Sequence, residues 1–133
     1  MPQERFATAI NCIDGRVQEP VAAWLKTELG VDYVDMVTEP GPDAALSDAD
    51  IAAAIRRKVA ISVAAHGSEV VAVVGHHDCA GNPVSPDEHR RQIERGVALV
   101  ASWGLPVRVL GLWLGERWQV DVVRDTTAGG GST

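Results

Sequence analysis

The chain has 133 residues, 46% hydrophobic and 23% charged, which suits a globular unit with its own core and excludes the low-hydrophobicity, high-charge signature of disorder. A formal charge of −6 excludes the clustered positive surface that a nucleic-acid partner requires. Apolar stretches are broken by charge or glycine well before the roughly 18 to 20 residues of a membrane span. The start, with Gln3, Glu4 and Arg5 before a short apolar run, does not resemble a secretion leader. A cytoplasmic location with no membrane partner is therefore expected. Two cysteines are too few for a disulfide framework, and in a reducing compartment such a pair is metal-binding, catalytic or simply buried.

Taken in chain order, Phe6 to Ile13 is an apolar run rich in strand formers. Val17 to Leu29 has helical spacing, with Val21, Trp24, Leu25 and Leu29 on one side and Gly30 as a stop. Asp32 to Thr38 reads as a second strand, closed by the turn-forming Glu39-Pro40-Gly41-Pro42. Ser47 and Asp50 have capping-box spacing and open a helix running to about Ala65, with Gly67 as its C-terminal signal. Val70 to Gly75 is continuously apolar, as a strand buried on both faces is. Ser85, Pro86 and Glu88 open another helix that Gly104 ends. Val107 to Leu114 and Trp118 to Val123, separated by Gly115, Glu116 and Arg117, suit an antiparallel hairpin.

Strand and helix alternate three times before that hairpin. The pattern predicts a three-layer α/β fold with a mainly parallel sheet of order 2-1-3-4 and an antiparallel edge strand. Residues 1–125 are expected to form one domain, and residues 126–133, ending Gly129-Gly130-Gly131-Ser132-Thr133, a flexible tail.

In that order strands 1 and 3 are neighbours whose connections leave in opposite directions, so their carboxyl ends flank the crevice where open α/β sheets bind ligands. Cys12-Ile13-Asp14-Gly15-Arg16 follows strand 1, and Gly75-His76-His77-Asp78-Cys79-Ala80-Gly81 follows strand 3. Two thiolates and an imidazole drawn from those segments make a site matched to Zn2+. Three protein ligands leave the fourth position for water, whose pKa then falls from about 15.7 to near 7, yielding a hydroxide nucleophile at neutral pH.

The first segment resembles the Cys-x-Asp-x-Arg motif of the β-class carbonic anhydrases, and the second their His-x-x-Cys motif. Carried across by position, the resemblance implies Cys12, His76 and Cys79 as zinc ligands and Asp14 with Arg16 as the catalytic pair. It also implies reversible hydration of carbon dioxide, a small-molecule substrate, and a homodimer or higher homo-oligomer. In some members of that family the equivalent aspartate swings onto the zinc and shuts the site.

Three departures stand out. Gly15 replaces the family's usual Ser, Ala80 its usual Gly, and Thr38-Glu39-Pro40-Gly41-Pro42 its Arg-Asn-Ala-Gly segment. The family's long N-terminal helical arm has no counterpart before strand 1, so a smaller or differently built dimer is expected.

Blander readings stay open for each residue. Cys12 and Cys79 can be buried free thiols, and Asp14 with Arg16 a structural ion pair. Adjacent positions on a strand face opposite ways, so His76 and His77 cannot both readily face the metal and one of them belongs to packing or solvent; the resemblance implies His76 as the ligand. Asp78 reads as a loop residue, Glu39 as a solvated turn residue, and His66 and His89 as surface positions on helices. The four tryptophans read as core or subunit contacts. Besides carbon dioxide hydration, two functions remain: zinc-dependent hydrolysis of carbonyl sulfide, carbon disulfide or another small electrophile, and a non-catalytic zinc-binding role.

Overall fold

The run Val70 to His76 is buried at every position, as a continuous apolar segment is when helices cover both faces of a parallel sheet. It forms the middle strand of the computed structural model, which describes residues 4–127. The order along the chain is β1 (Phe6–Asn11), α1 (Gly15–Leu29), β2 (Tyr33–Thr38), α2 (Pro42–Ala45), α3 (Ala49–His66), β3 (Val70–His76), α4 (Pro86–Ala101), β4 (Arg108–Leu114) and β5 (Val120–Asp125). The sheet runs β2-β1-β3-β4-β5. All its pairings are parallel except that of β4 with β5, so the observed architecture is the expected mainly parallel sheet with an antiparallel edge. No helix among the described residues is long and apolar enough to cross a membrane.

Side chains alternate along each strand, and the sheet therefore divides the core in two. Ala7, Ala9, Ala72, Val74, Leu110, Leu112 and Leu114 pack with Val17, Val21 and Leu25 of α1. Ile10, Val71, Val73, Val109 and Trp113 pack on the other face with Ile55 and Val59 of α3 and Ile93 and Val97 of α4. His76 has the parity of Ala72 and Val74. It thus emerges on the α1 face, where Cys12 and Cys79 also join the core.

Two sequence expectations shift locally. Part of the segment read as a turn coils into the four-residue α2, entered through Gly41 in the left-handed region at φ 53°. The helix after it is capped by Asp48 rather than Ser47. The Asp48 carboxylate accepts from the N–H groups of Asp50 and Ile51 at 3.0 and 3.1 Å, satisfying two donors that the Ser47 hydroxyl does not reach. Ser85 caps α4 as its spacing predicts, accepting from the N–H of Glu88 at 3.1 Å. The glycine-rich end, Gly129 to Thr133, lies outside the described residues.

Candidate metal centre

Cys12, His76 and Cys79 meet at the carboxyl ends of β1 and β3, all buried, with their ligand atoms within 4.8 Å of one another. The polar neighbours of β1 aim the first thiol. Asn11, fully buried, accepts the Cys12 N–H on its side-chain oxygen at 2.9 Å, and Gln18 of α1 donates to the Cys12 carbonyl at 3.3 Å. Neither residue stands out in the sequence.

The histidine is held from its other nitrogen. His76 Nδ1 lies 2.7 Å from the carbonyl oxygen of His77, and since a carbonyl only accepts, Nδ1 carries the proton. In the neutral imidazole Nε2 is then a bare lone pair. Among the described residues it is the one buried side-chain nitrogen or oxygen without a hydrogen-bond partner. An orphaned buried acceptor is costly unless something occupies it.

The sulfurs satisfy the same test. Cys12 Sγ and Cys79 Sγ are 3.9 Å apart, far beyond a disulfide. Two sulfurs each bonded at about 2.3 Å to one tetrahedral zinc ion stand about 3.8 Å apart. Burial pushes the Cys79 thiol up to about 11, and the neighbouring Cys12 adds to the rise, while the N–H groups of Gly81 and Asn82 pull it back. A divalent cation stabilises both thiolates in place of solvent, so this donor set fits zinc.

Asp14 and Arg16 stand beside this cluster and do not join it. Asp14 is the N-cap of α1, its Oδ1 accepting from the Arg16 N–H at 2.9 Å. The Arg16 guanidinium donates back to Oδ2 at 2.7 Å through Nη2. That side-chain hydrogen bond is the main reason the Asp14 carboxyl lies at about 2, with the backbone N–H and charge of Arg16 adding to it against a desolvation penalty. The same pairing raises Arg16. Arg16 also reaches Asp78, at 3.3 Å to the carboxylate and 3.2 Å to the carbonyl, and lies 4.9 Å over the ring of Trp118.

A cleft of about 280 Å³, small enough to restrict the site to compact ligands, is lined by Cys12, Ile13, Asp14, Pro40, Ala80 and Gly81. Pro40, not Glu39, faces it from the loop after β2. That loop and the loop carrying Cys79 touch backbone to backbone. A Cβ on Gly41 would stand 2.9 Å from the Gly81 carbonyl carbon, and one on Gly81 2.9 Å from that of Pro40. The unusual Pro-Gly pair is thus what lets the second ligand loop close down.

Behind that loop is a polar cluster that the sequence does not disclose. Asn82, buried, donates to Asp43 at 3.0 Å and to Gln92 at 2.6 Å. Asp43 in turn lies 2.6 Å from His89 Nδ1, with both side chains almost fully buried. The reading of His89 as a surface residue is therefore corrected. It shares the stripe of Ile93, Val97 and Val100 on α4, and its ring packs against Trp113 at 5.0 Å between centroids. His66 is half exposed, 2.6 Å from Asp35. His77 continues the strand ladder, its N–H donating to the Leu114 carbonyl at 2.8 Å.

Comparison with curated proteins returns no match. Among solved structures, a carbonic anhydrase from Glaciozyma antarctica superposes with a TM-score of 0.62 at 18% identity, covering 92% of this chain and 83% of that one. A tetrameric β-carbonic anhydrase of the ascomycete Sordaria macrospora superposes with a TM-score of 0.57 at 16% identity, covering 91% and 81%. At such identities the likeness establishes a shared fold. The family described as "Putative carbonic anhydrase" matches residues 2–124, nearly the whole chain, and the protein belongs to that family.

Proposed function

We propose that the protein is a zinc-dependent lyase that reversibly hydrates carbon dioxide to bicarbonate, with zinc held by Cys12, His76 and Cys79. The observation that carries this reading is the bare, buried Nε2 of His76 facing two thiols spaced as one zinc ion would space them. When bound, zinc supplies Lewis acidity that brings the pKa of water to about 7 and so provides a nucleophile at neutral pH. Asp14, ionised because Arg16 holds its carboxyl at about 2, acts only as an acceptor. It takes the hydrogen bond of the attacking hydroxyl and turns a lone pair toward the carbon. Arg16 fixes that carboxylate through a two-nitrogen grip that lysine would not reproduce. Exposed Ile13 and Pro40 give the cleft apolar walls suited to an uncharged linear molecule.

The free cysteines agree with a reducing, cytoplasmic setting. The tetrameric Sordaria enzyme supports a homo-oligomer. Stopped-flow hydration of carbon dioxide at about pH 8.5, on protein holding one zinc per chain, tests the reading. The expected outcome is hydration far above buffer that falls by about 100-fold or more in Asp14→Ala, within the range of a lost proton-handling group. No rate above buffer from fully loaded protein would refute it and turn the search to other small electrophiles or a non-catalytic role.

A further inference from the structure

Among the described residues only two other than glycine have positive φ, Asp78 and Trp118, each at 57°. They lie far apart in sequence, yet both contact the same guanidinium. Arg16 Nη1 donates to the Asp78 carboxylate at 3.3 Å and Nη2 to the Asp78 carbonyl at 3.2 Å, while the Arg16 head lies 4.9 Å over the Trp118 ring.

Positive φ is tolerable for aspartate but is an outlier for a side chain as bulky as tryptophan, and it persists only where surrounding contacts offset it. At Trp118 those contacts are visible. Its N–H donates to the Gly115 carbonyl at 2.9 Å, closing the turn between β4 and β5. The turn projects the indole back onto the α1 face, where it packs against the core cluster holding Cys12 and Cys79. There the ring stands 5.7 Å from the ring of His76, between a candidate zinc ligand and Arg16.

Arg16 is 50% exposed and Asp78 70%, so their ion pair alone would be weak and mobile. The indole supplies what the ion pair lacks, a flat face that selects one orientation of a planar cation. In that orientation the remaining guanidinium edge meets Asp14. Asp14 would otherwise be free to turn toward a cation at the nearby cysteines.

Resting on the zinc assignment above, we propose that Trp118 and Asp78 are positioning residues that clamp the Arg16 guanidinium, and that this clamp keeps Asp14 paired to Arg16 and out of the metal's fourth position. Trp118 acts through Arg16, without touching the reacting atoms, and the hairpin after β4 thereby sets how open the site is.

Cobalt(II)-loaded protein tests this independently of turnover, because its visible absorption reports the fourth ligand and azide is a small anion that binds only where that position is free. Wild-type protein is expected to show an azide-dependent shift. Trp118→Leu, which keeps apolar bulk but removes the ring face, is expected to weaken azide binding by about tenfold, the size of a lost cation–ring contact together with the order it imposes. Trp118→Phe is expected to rescue most of that loss. Trp118→Leu combined with Asp14→Ala should restore azide binding, because the competing carboxylate is gone.

Unchanged azide affinity in Trp118→Leu, at one cobalt per chain and with wild-type far-UV circular dichroism, would overturn the clamp. So would a wild-type spectrum indifferent to azide, whether or not Asp14→Ala responds. An azide-responsive cobalt protein whose zinc form hydrates no carbon dioxide would sink the proposed activity and leave the clamp standing.

Discussion

At the scale of single residues, Asp43 and His89 form the most deeply buried side-chain ion pair among the described residues. Each side chain is nearly inaccessible to water, and Asp43 also accepts from Asn82, in the loop that carries Cys79. Truncating His89 to alanine removes a hydrogen-bond partner and a ring packed on Trp113, leaving the carboxylate to Asn82 alone. His89→Ala is therefore expected to cost about 3 to 5 kcal/mol in urea denaturation, because a buried carboxylate that loses its partner keeps its desolvation penalty. A loss below about 1 kcal/mol would mean that water replaces the imidazole. The sequence conceals this pair for a definite reason. His89 falls in the stripe of Ile93, Val97 and Val100, but its neighbours Glu88, Arg90 and Arg91 are charged, and Asp43 lies just past a segment that reads as a turn, in no element the sequence assigns. Cys12, His76 and Cys79, by contrast, are legible because two strand ends and two short motifs specify them without any tertiary detail.

At the scale of elements, the loops after β2 and β3 act as one unit. Gly41 combines φ 53° with neighbours that leave no room for a Cβ, the nearest being Asn82 Cβ at 2.7 Å and the Gly81 carbonyl oxygen at 2.9 Å. Gly104 offers the comparison, with φ 74° and nothing within 4 Å of where a Cβ would stand. Gly104→Ala is expected to cost only the left-handed backbone penalty, about 1 to 2 kcal/mol, and to leave zinc affinity unchanged. Gly41→Ala incurs that penalty and also pushes against the backbone carrying Cys79 and Asn82, so it should lower both the unfolding temperature and zinc affinity. Competition with a chromophoric chelator measures the second effect. Equal zinc affinities in the two variants would show that the loops do not move together. Most strands and helices are readable from periodicity and caps, since those are local, although Asp48 rather than Ser47 caps α3 and the last strand runs Val120–Asp125, two residues beyond its expected bounds. The contact between Pro40-Gly41 and Gly81 is not, because no spacing rule says that two loops so distant in sequence share one gap.

For the whole molecule, the candidate ligands join segments that the fold brings together from opposite directions. Cys12 leaves β1 toward α1, whereas His76 and Cys79 leave β3 toward α4, and the two helices lie on opposite faces of the sheet. A metal held there ties the switch point of the sheet shut, while the unfolded chain offers no preformed site. Zinc held there would thus contribute folding free energy. With free zinc at about 100 times its Kd the native state gains about 2.7 kcal/mol, which for a chain of 133 residues raises Tm by about 10 °C. Scanning calorimetry of chelator-treated and reloaded protein is expected to show that shift, and Cys79→Ser to lose most of it. Cys79→Ser also removes a thiol that burial keeps protonated without metal, so its metal-free form should unfold close to the wild-type metal-free temperature. A large drop in the metal-free variant would instead assign Cys79 to the core alone. Coincidence of the two metal-free transitions, with divergence only on adding zinc, would separate a ligand from a packing residue at the one place where both halves of the sheet converge.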